Sequence, residues 1–289
     1  LLFPEDPYEC FTFGAQAFDL AERLQTPVFV MSDLDIGMNE HLCQPFDWDD
    51  SRRYDRGKVM SAADLESGKT FGRYLDVDGD GIPYRTIPGT HPSKGAFFSR
   101  GTTRNAYAKY SEAGTDYIYN MQRLRRKFET AKTLVPAPVV RRAAEPTRLG
   151  AIYYGSTSLA MDEATTYLAQ KGVHIDTLRV RAFPFADEVI DFVNEHDHVF
   201  VVEQNESGQL RMLLVNEGDI DPKRLLRVLH YDGTPITAGF IHMNFWTFFF
   251  FFLASRAFSF MLVGIVFRLV GAPIKAFIDK YLIWVTGAF

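Results

Sequence analysis

The chain has 289 residues, which leaves room for about two domains, and its composition is that of a globular protein rich in phenylalanine. Its net charge of −5 does not favour nucleic-acid binding. Its two cysteines, Cys10 and Cys43, exclude a disulfide framework and are too few for an iron–sulfur cluster. They are typical of a reducing, cytoplasmic setting.

The first predicted elements are a helix and a strand. Apolar residues recur at helical spacing over residues 8–24, with charged residues between them. The apolar run at residues 27–32 predicts a strand buried on both faces, as in a parallel sheet. Asp33, Asp35 and Asn39 follow this strand, at the kind of sheet edge where cofactors bind. The alternative interpretation is an acidic surface loop.

The middle of the chain, residues 47–148, is rich in Asp, Arg, Gly and Pro and has weak periodicity. It predicts one helix, over residues 116–134. So long a segment with little regular structure predicts an excursion that packs on other domains or subunits. The helix carries basic residues that we interpret as a solvated face, namely Arg123, Arg125, Arg126, Lys127 and Lys132.

Two motifs in the chain resemble metal sites only in part. Residues 76–81 imitate the first half of an EF-hand loop, but Ile87 stands where a bidentate Glu is required. We therefore predict an Asx/Gly turn there. His196 and His198 form a His-x-His at a helix–strand junction without a clear third ligand, and the motif indicates solvent exposure.

From residue 149 onwards the pattern becomes regular. Gly172 is placed to close one of the predicted helices as a C′ glycine. Strands and helices that alternate with short loops predict a parallel sheet covered by helices. The predicted strands are residues 150–154, 173–180 and 198–202, and the predicted helices are residues 158–171, 186–194 and 209–216.

Two loops of this module carry polar side chains at predicted strand ends. Residues 155–158 read as a turn and helix N-cap, and anion binding at the helix N-terminus is the alternative. Glu203, Gln204 and Asn205 follow the third strand, where ligands of parallel sheets bind. An interdomain or subunit hydrogen-bond network and a ligand site are both open for these three residues.

The tail, residues 242–289, has a third composition. Residues 245–270 are apolar and long enough to span a bilayer, although Arg256 and Arg268 interrupt them. A charge at the centre of a bilayer costs roughly 2.5–3.5 kcal/mol on insertion scales. The tail therefore predicts either a membrane helix or an end unrelated to the rest of the chain. A membrane-anchored, non-catalytic α/β interaction protein is the alternative function.

Several phrases resemble one family, the alpha subunit of 2-oxoacid:ferredoxin oxidoreductases, in particular the 2-oxoglutarate type. They occur in the family's order, and together they cover about residues 4–241. At Thr103 and Arg104 the chain departs from the family, which usually has Gly and His there. The phrases are residues 17–28, 32–35, 37–39, 55–59, 78–86, 127–131, 135–138, 154–156, 201–205 and 208–210.

The resemblance implies an α/β fold with four parts. Residues 1–46 would be the end of a pyrimidine-binding thiamine domain, and residues 47–148 an irregular interdomain segment with one helix. Residues 149–241 would be a transketolase-C-terminal-like parallel-sheet domain. Residues 242–289, the hydrophobic helical tail, resemble nothing in the family.

The resemblance also implies a function. These enzymes decarboxylate a 2-oxoacid on thiamine diphosphate, pass electrons through iron–sulfur chemistry to ferredoxin, and form an acyl-CoA. The implied partners are the beta subunit, which holds the diphosphate and Mg²⁺, together with ferredoxin and coenzyme A. None of these cofactors is expected to bind this chain alone, and no metal ligand is expected in it. The chain is accordingly expected to be inactive by itself.

The resemblance locates the catalytic residues elsewhere, either upstream of Leu1 or on the beta subunit. Within this chain the candidates for cofactor binding are Asp33, Asp35 and Asn39. The candidates for interdomain or subunit contacts are Glu203, Gln204 and Asn205.

Overall fold

The computed structural model describes residues 1–99 and 103–233. Most of the predicted helices are present. The one predicted over residues 8–24 is capped by the Asp6 carboxylate, and a short helix that was not predicted begins at a capping box on Ser61. The elements in chain order are α1 (Pro7–Leu24), α2 (Leu34–Met38), α3 (Ala62–Glu66), α4 (Gly114–Lys132), β1 (Val139–Arg141), β2 (Leu149–Tyr154), α5 (Thr157–Gln170), β3 (Asp176–Val180), α6 (Asp187–Glu195), β4 (His198–Glu203), α7 (Gln209–Gly218) and β5 (Leu225–Leu229).

The strands form a sheet with the order β1-β3-β2-β4-β5. Strands β2 to β5 are parallel to one another, and β1 pairs antiparallel with β3. The parallel-sheet prediction for this region is confirmed, since the fold is mixed α/β with helices between parallel strands. Strand β1 precedes residue 149, so the sheet also includes part of the segment expected to be an irregular connection.

The alternation of β2 distributes its side chains between two apolar layers. Ile152 packs with residues of α6 and α7, including Val189 and Leu214. Ala151 and Tyr153 point to the opposite face and pack against Ala160 and Met161 of α5. Both faces of the central strands are therefore covered by helices, which explains their nearly continuous apolar sequences.

A third apolar cluster joins the N-terminal helix to the rest of the molecule. Phe13, Leu20 and Leu24 of α1 pack with Ala131 of α4 and with Ala182 after β3. Residues 1–3 run between residues 29–31 and residues 181–183, with backbone hydrogen bonds to both. Helices α1 and α4 are thereby fixed at the side of the sheet.

The prediction of a doubly buried strand over residues 27–32 is wrong. Val30 forms a bridge with Leu2, and no other described residue extends it into a ladder. Phe29 and Met31 are 59% and 49% exposed, so the apolar run is uncovered on one side. An unbroken apolar run predicts a strand with neighbours on both sides. Among the described residues, this run pairs only with the chain at Leu2.

The interpretation of the α4 basic residues as a solvated face is wrong for two of them. Arg123 and Lys127 are 6% exposed, because the turn that contains Gly81 packs directly on the helix backbone between them. A Cβ on Gly81 would lie 2.3 Å from the amide nitrogen of Lys127, and its φ of +78° also favours glycine. Arg125 is exposed, as predicted.

The expectation for the His-x-His motif is also wrong in part. His196 is buried and not exposed, and its two ring nitrogens lie 2.6 Å from the carbonyl oxygen of Phe192 and 3.3 Å from Asp176 Oδ2. His198 is exposed on β4. The two imidazoles therefore lie in different environments, and His196 connects α6 to the start of β3.

The predicted Asx/Gly turn at residues 76–81 is confirmed. Asp76 Oδ1 accepts hydrogen bonds of 3.0 Å from the amides of Gly79 and Gly81. Lys58 Nζ lies 2.6 Å from Asp78 Oδ2 and 2.8 Å from Asp80 Oδ1. The acidic side chains of the turn thus accept hydrogen bonds from backbone amides and from Lys58.

Two regions with sequence predictions lie outside the described residues. One is the tail, residues 242–289, with its predicted membrane helix, and the other is residues 100–102 of the loop that departs from the family pattern. Across residues 1–99 and 103–233, no helix combines the length and apolarity needed to cross a membrane.

Candidate functional site

The order of the strands creates a switch point between β2 and β4. The chain leaves β2 to form β3 on one side, then returns past β2 to form β4 on the other side. The carboxyl ends of β2 and β4 therefore open onto a crevice, which is where ligands bind in open parallel sheets. Ser156 and Thr157 follow β2 at this edge, and Gln204 follows β4.

Asp33, from the loop before α2, reaches this edge from 123 residues away. Its Oδ2 accepts a 2.7 Å hydrogen bond from Ser156 Oγ and lies 3.4 Å from the Ser156 amide, while its Oδ1 caps α2 at the amide of Ile36. Gly155 has a φ of +63°, and a Cβ there would lie 3.4 Å from Asp33 Oδ2. The turn after β2 is therefore shaped around this carboxylate.

This arrangement changes the interpretation of residues 155–158. The predicted turn and N-cap position are confirmed, since Ser156 is the N-cap of α5. Its side chain, however, makes no capping hydrogen bond and instead donates to Asp33. A carboxylate of the same chain lies at the helix N-terminus, where an anion is favoured. Ser156, Thr157 and Ser158 are all buried.

Gln204 completes the connection to β4. Its Nε2 donates hydrogen bonds of 3.0 Å to Ser156 Oγ and 3.1 Å to Thr157 Oγ1. A chain of side chains therefore runs from Asp33 through Ser156 to Gln204. It joins the predicted cofactor loop to the predicted contact residues at the switch point.

Glu203 and Asn205 have a different role from Gln204, because alternate residues of a strand face opposite sides. The Glu203 carboxylate is fully buried and accepts from the amides of Leu210 (2.7 Å) and Arg211 (3.1 Å) in the first turn of α7. Asn205 Nδ2 donates to Glu203 (2.9 Å), and its Oδ1 accepts from the amide of Gly208 (2.7 Å). These two side chains hold the start of α7, and Gln204 faces the crevice.

Asp35 has an unusual environment in this crevice. Its side chain is 6% exposed, and its Oδ2 is buried without a hydrogen-bond partner among the described residues. Its Oδ1 accepts from the side chain of Asn39, and its carbonyl oxygen lies 3.0 Å from His41 Nε2. A buried acceptor without a donor is energetically unfavourable.

A cleft of about 560 Å³ surrounds these groups. Burial raises the pKa of Tyr154, and the negative charge of Glu203 adds to this effect, so the phenol is available as a hydrogen-bond donor. The cleft thus presents carboxylate acceptors together with hydroxyl and amide groups. Its lining residues are Asp33, Leu34, Asp35, Tyr154, Thr157, Gln204, His230, Tyr231 and Gly233.

The chemistry of the cleft decides which cofactor groups fit it. Asp33 and Asp35 place two carboxyl groups at the cleft, which suits N–H and O–H donors better than a diphosphate. Within residues 1–99 and 103–233, no three His, Cys, Asp or Glu side chains are grouped to hold a metal ion. Cys10 and Cys43, the two cysteines of the chain, do not supply the ligand set of an iron–sulfur cluster.

The fold and the cleft together define a class: a parallel-sheet α/β protein with a polar crevice at its switch point. No family model matches the chain. The chain is 27% identical over 236 residues to 2-oxoacid:ferredoxin oxidoreductase 2, subunit alpha, of Aeropyrum pernix. This match covers 80% of the chain and 35% of the relative, so the chain spans about a third of that protein's length.

The fold is also similar to a solved structure, that of 2-oxoglutarate:ferredoxin oxidoreductase from Magnetococcus marinus with 2-oxoglutarate, coenzyme A and succinyl-CoA bound. The TM-score is 0.68 at 20% identity, and the match covers 81% of this chain and 39% of that one. The resemblance predicted from the sequence phrases is confirmed, and both relatives are oxidoreductases or subunits of them.

Sequence reasoning missed several residues of the cleft. His230 and Tyr231 line it, although neither stands in a motif, and Tyr154 lines it although it was named only as part of the phrase 154–156. His230 follows β5, and its amide donates to the carbonyl oxygen of Glu203 (2.9 Å), which brings residues 230–233 beside β4. Strand β5 was not predicted from the sequence. Without it, nothing indicated that the residues after it lie at the same sheet edge as Gln204.

Proposed function

We propose that the chain is part of the alpha subunit of a thiamine-diphosphate-dependent 2-oxoacid:ferredoxin oxidoreductase, with 2-oxoglutarate as the 2-oxoacid. In this proposal the switch-point cleft forms one wall of the site where the cofactor ring and the partner subunit meet. The chain contributes a folded part of the subunit and contacts with other subunits. It does not turn over substrate alone.

One observation carries the proposal. Residues 32–35 with 37–39, residues 154–156 and residues 201–205 are separate phrases on which the resemblance to the family rests. They converge on one cleft through Asp33, Ser156 and Gln204. Segments that share only a general α/β fold with the family have no reason to meet through specific side chains. The similarity of the whole matched region to the two relatives supports the same interpretation.

The residues of the chain limit what each cofactor can do here. Thiamine diphosphate, when bound, supplies the electron sink for decarboxylation of a 2-oxoacid. The bare oxygen of Asp35 would accept a hydrogen bond from a nitrogen of its ring end, and Asp33 would hold α2 and Ser156 in place. The diphosphate, Mg²⁺ and the iron–sulfur cluster are assigned by this proposal to the rest of the enzyme, as are the contacts with ferredoxin and coenzyme A.

The test compares the full chain alone with the full chain mixed with the beta subunit of a 2-oxoglutarate:ferredoxin oxidoreductase from the same cells. We expect a complex by sedimentation velocity, and no 2-oxoglutarate-dependent reduction of a viologen by the chain alone. Turnover by the chain alone would overturn the assignment of the catalytic groups. Failure to form any complex would overturn the subunit proposal.

A further inference from the structure

A group of cations surrounds Tyr74, far from the switch-point cleft in sequence. The guanidinium carbons of Arg104, Arg73 and Arg123 lie 4.9, 5.3 and 5.7 Å from the centroid of its ring. Lys127 lies one helical turn after Arg123, on the same face of α4. Four positive charges are thus collected on one side of the middle segment.

Three of these cations lack an anionic partner among the described residues. The Arg123 side chain is buried, donates from Nη1 to the carbonyl oxygen of Gly81 (3.0 Å), and leaves its Nε without a partner. The Arg73 guanidinium has aromatic neighbours, the rings of Tyr74 and Phe97. The Lys127 ammonium lies 5.5 Å from the ring of Phe128, and no described carboxylate pairs with it.

The nearby carboxylate of Asp76 attracts Arg123 through space, which offsets part of the effect of burial on the pKa of Arg123, but it forms no ion pair with Arg123. Asp76 uses Oδ2 to pair with Arg126 at 3.0 Å and Oδ1 to accept from two amides of its own turn. Burial lowers the pKa of Arg73, Arg123 and Lys127, and the pKa of Lys127 is lowered further by the charges of Arg123 and Arg73. The fold therefore holds like charges together at an energetic cost, which an added anion would relieve.

We propose that Arg73, Arg123 and Lys127 form a binding site for a phosphate-type dianion. Two guanidinium groups can donate paired hydrogen bonds to phosphate oxygens, and an ammonium group adds a compact charge. The half-buried Arg73 and Tyr74 form the side that faces solvent. A free phosphate and the phosphate of a larger ligand share this chemistry, and neither depends on the function proposed for the switch-point cleft.

The test titrates inorganic phosphate into the full 289-residue chain by calorimetry, with sodium chloride of matched ionic strength in the reference buffer. Arg73→Gln and Lys127→Met each remove one charge and keep a side chain of similar length. We expect each substitution to weaken phosphate binding at least about tenfold, which corresponds to the loss of one charge-assisted contact. Arg125→Gln, on the exposed face of the same helix, should bind phosphate as the unmodified chain does.

Thermal unfolding gives an independent readout. Phosphate stabilises proteins in general, so the informative quantity is the difference in Tm shift between the chain and its variants. Lys127→Met should unfold at the same or a higher temperature in chloride, because it removes an unpaired buried charge, and should lose most of the extra shift in phosphate. No measurable phosphate binding by the unmodified chain would overturn the proposal, as would equal binding by both charge variants. Titration of ethyl phosphate separates the two sources of the anion. Tighter binding of ethyl phosphate than of inorganic phosphate indicates the phosphate of a larger ligand, and tighter binding of inorganic phosphate indicates a free phosphate.

Discussion

Glu203 illustrates how a buried carboxylate serves local structure. Its two oxygens accept from the amides of Leu210 and Arg211 and from the side chain of Asn205. These amides belong to the first turn of α7, where a helix has no partners of its own for its N–H groups. The negative charge also interacts favourably with the helix dipole.

We therefore expect Glu203→Gln to lower the free energy of unfolding by about 1–3 kcal/mol, since an amide cannot accept from both sides as the carboxylate does. Urea denaturation followed by circular dichroism measures this change. Glu206→Gln, at an exposed neighbouring position, is the matched control and should change the stability by less than about 0.5 kcal/mol. Equal effects of the two substitutions would contradict the role given to Glu203.

Asp35 represents the opposite situation, because its buried Oδ2 has no donor among the described residues. Asp35→Asn removes a buried charge and keeps an oxygen that can accept from Asn39. We expect the free energy of unfolding of the isolated chain to stay unchanged or to rise by about 1 kcal/mol, as found for unpaired buried groups that are neutralised. Denaturation of the full chain measures this, with the exposed Asp47→Asn as the control. A clear loss of stability would assign Asp35 a structural role.

At the scale of elements, helix α1 is fastened to β3 by an ion-pair cluster. Glu9 of α1 accepts from Arg179 at 2.7 and 3.0 Å and from Arg181 at 3.0 Å. Burial by itself would raise the pKa of Glu9, but the hydrogen bonds and charges of Arg179, with help from Arg181, outweigh burial and lower it below 4.5. Glu5 forms a second ion pair with Arg179, at 3.0 Å.

The lowered pKa fixes the pH dependence of this cluster. A carboxylate with a depressed pKa in the folded state stabilises the fold above its unfolded pKa, and this contribution disappears as the pH falls through the folded pKa. Glu9→Gln should therefore cost about 2–4 kcal/mol at pH 7, because Arg179 is buried. The gap between the variant and the unmodified chain should close below pH 4.5. Denaturation at several pH values, with the exposed Glu163→Gln as control, measures it, and a gap that stays constant with pH would contradict the assignment.

The elements also indicate what the sequence could and could not predict. Helices α1, α4 and α5 and strands β2 and β4 were predictable because their apolar residues follow a helical period or form bounded runs. Strand β5 (Leu225–Leu229) was missed although it is apolar except at Arg227. It lies at the edge of the sheet, and its three middle side chains are exposed, so its residues do not alternate between polar and apolar as a half-buried strand does.

Long-range contacts lay outside the reach of any local pattern. Asp33 and Asp35 were chosen from their position after an apolar run, and that reasoning placed them near a sheet edge. Their contact with Ser156 joins residues 123 positions apart, which no periodicity encodes. The burial of Arg123 and Lys127 has the same origin, since it depends on a turn more than 40 residues earlier that packs on α4.

At the scale of the whole molecule, one surface next to the cleft is unusually apolar. Leu34 and Met38 of α2 are both 79% exposed, and the chain that follows stacks Phe46 on Phe11 with ring centroids 4.9 Å apart. We define this 31–48 surface by its exposed apolar side chains, which are Met31, Leu34, Met38, Leu42, Phe46 and Trp48. So many exposed apolar side chains within 18 residues are typical of a surface that another protein covers, and Asp33 and Asp35 of the cleft lie in the same stretch of sequence.

If the proposed subunit assembly is correct, the partner subunit covers the 31–48 surface when it closes the cleft. We expect the fluorescence emission of Trp48, which is 53% exposed in the chain alone, to shift to shorter wavelength when the beta subunit is added. Trp48→Phe should abolish that shift.

Met38→Asp should weaken the complex about tenfold or more, because it places a charge in an apolar contact. Ile118→Asp, at an exposed apolar position on α4, should leave the affinity unchanged. A complex that forms with no change at Trp48 and no effect of Met38→Asp would place the interface elsewhere on the chain.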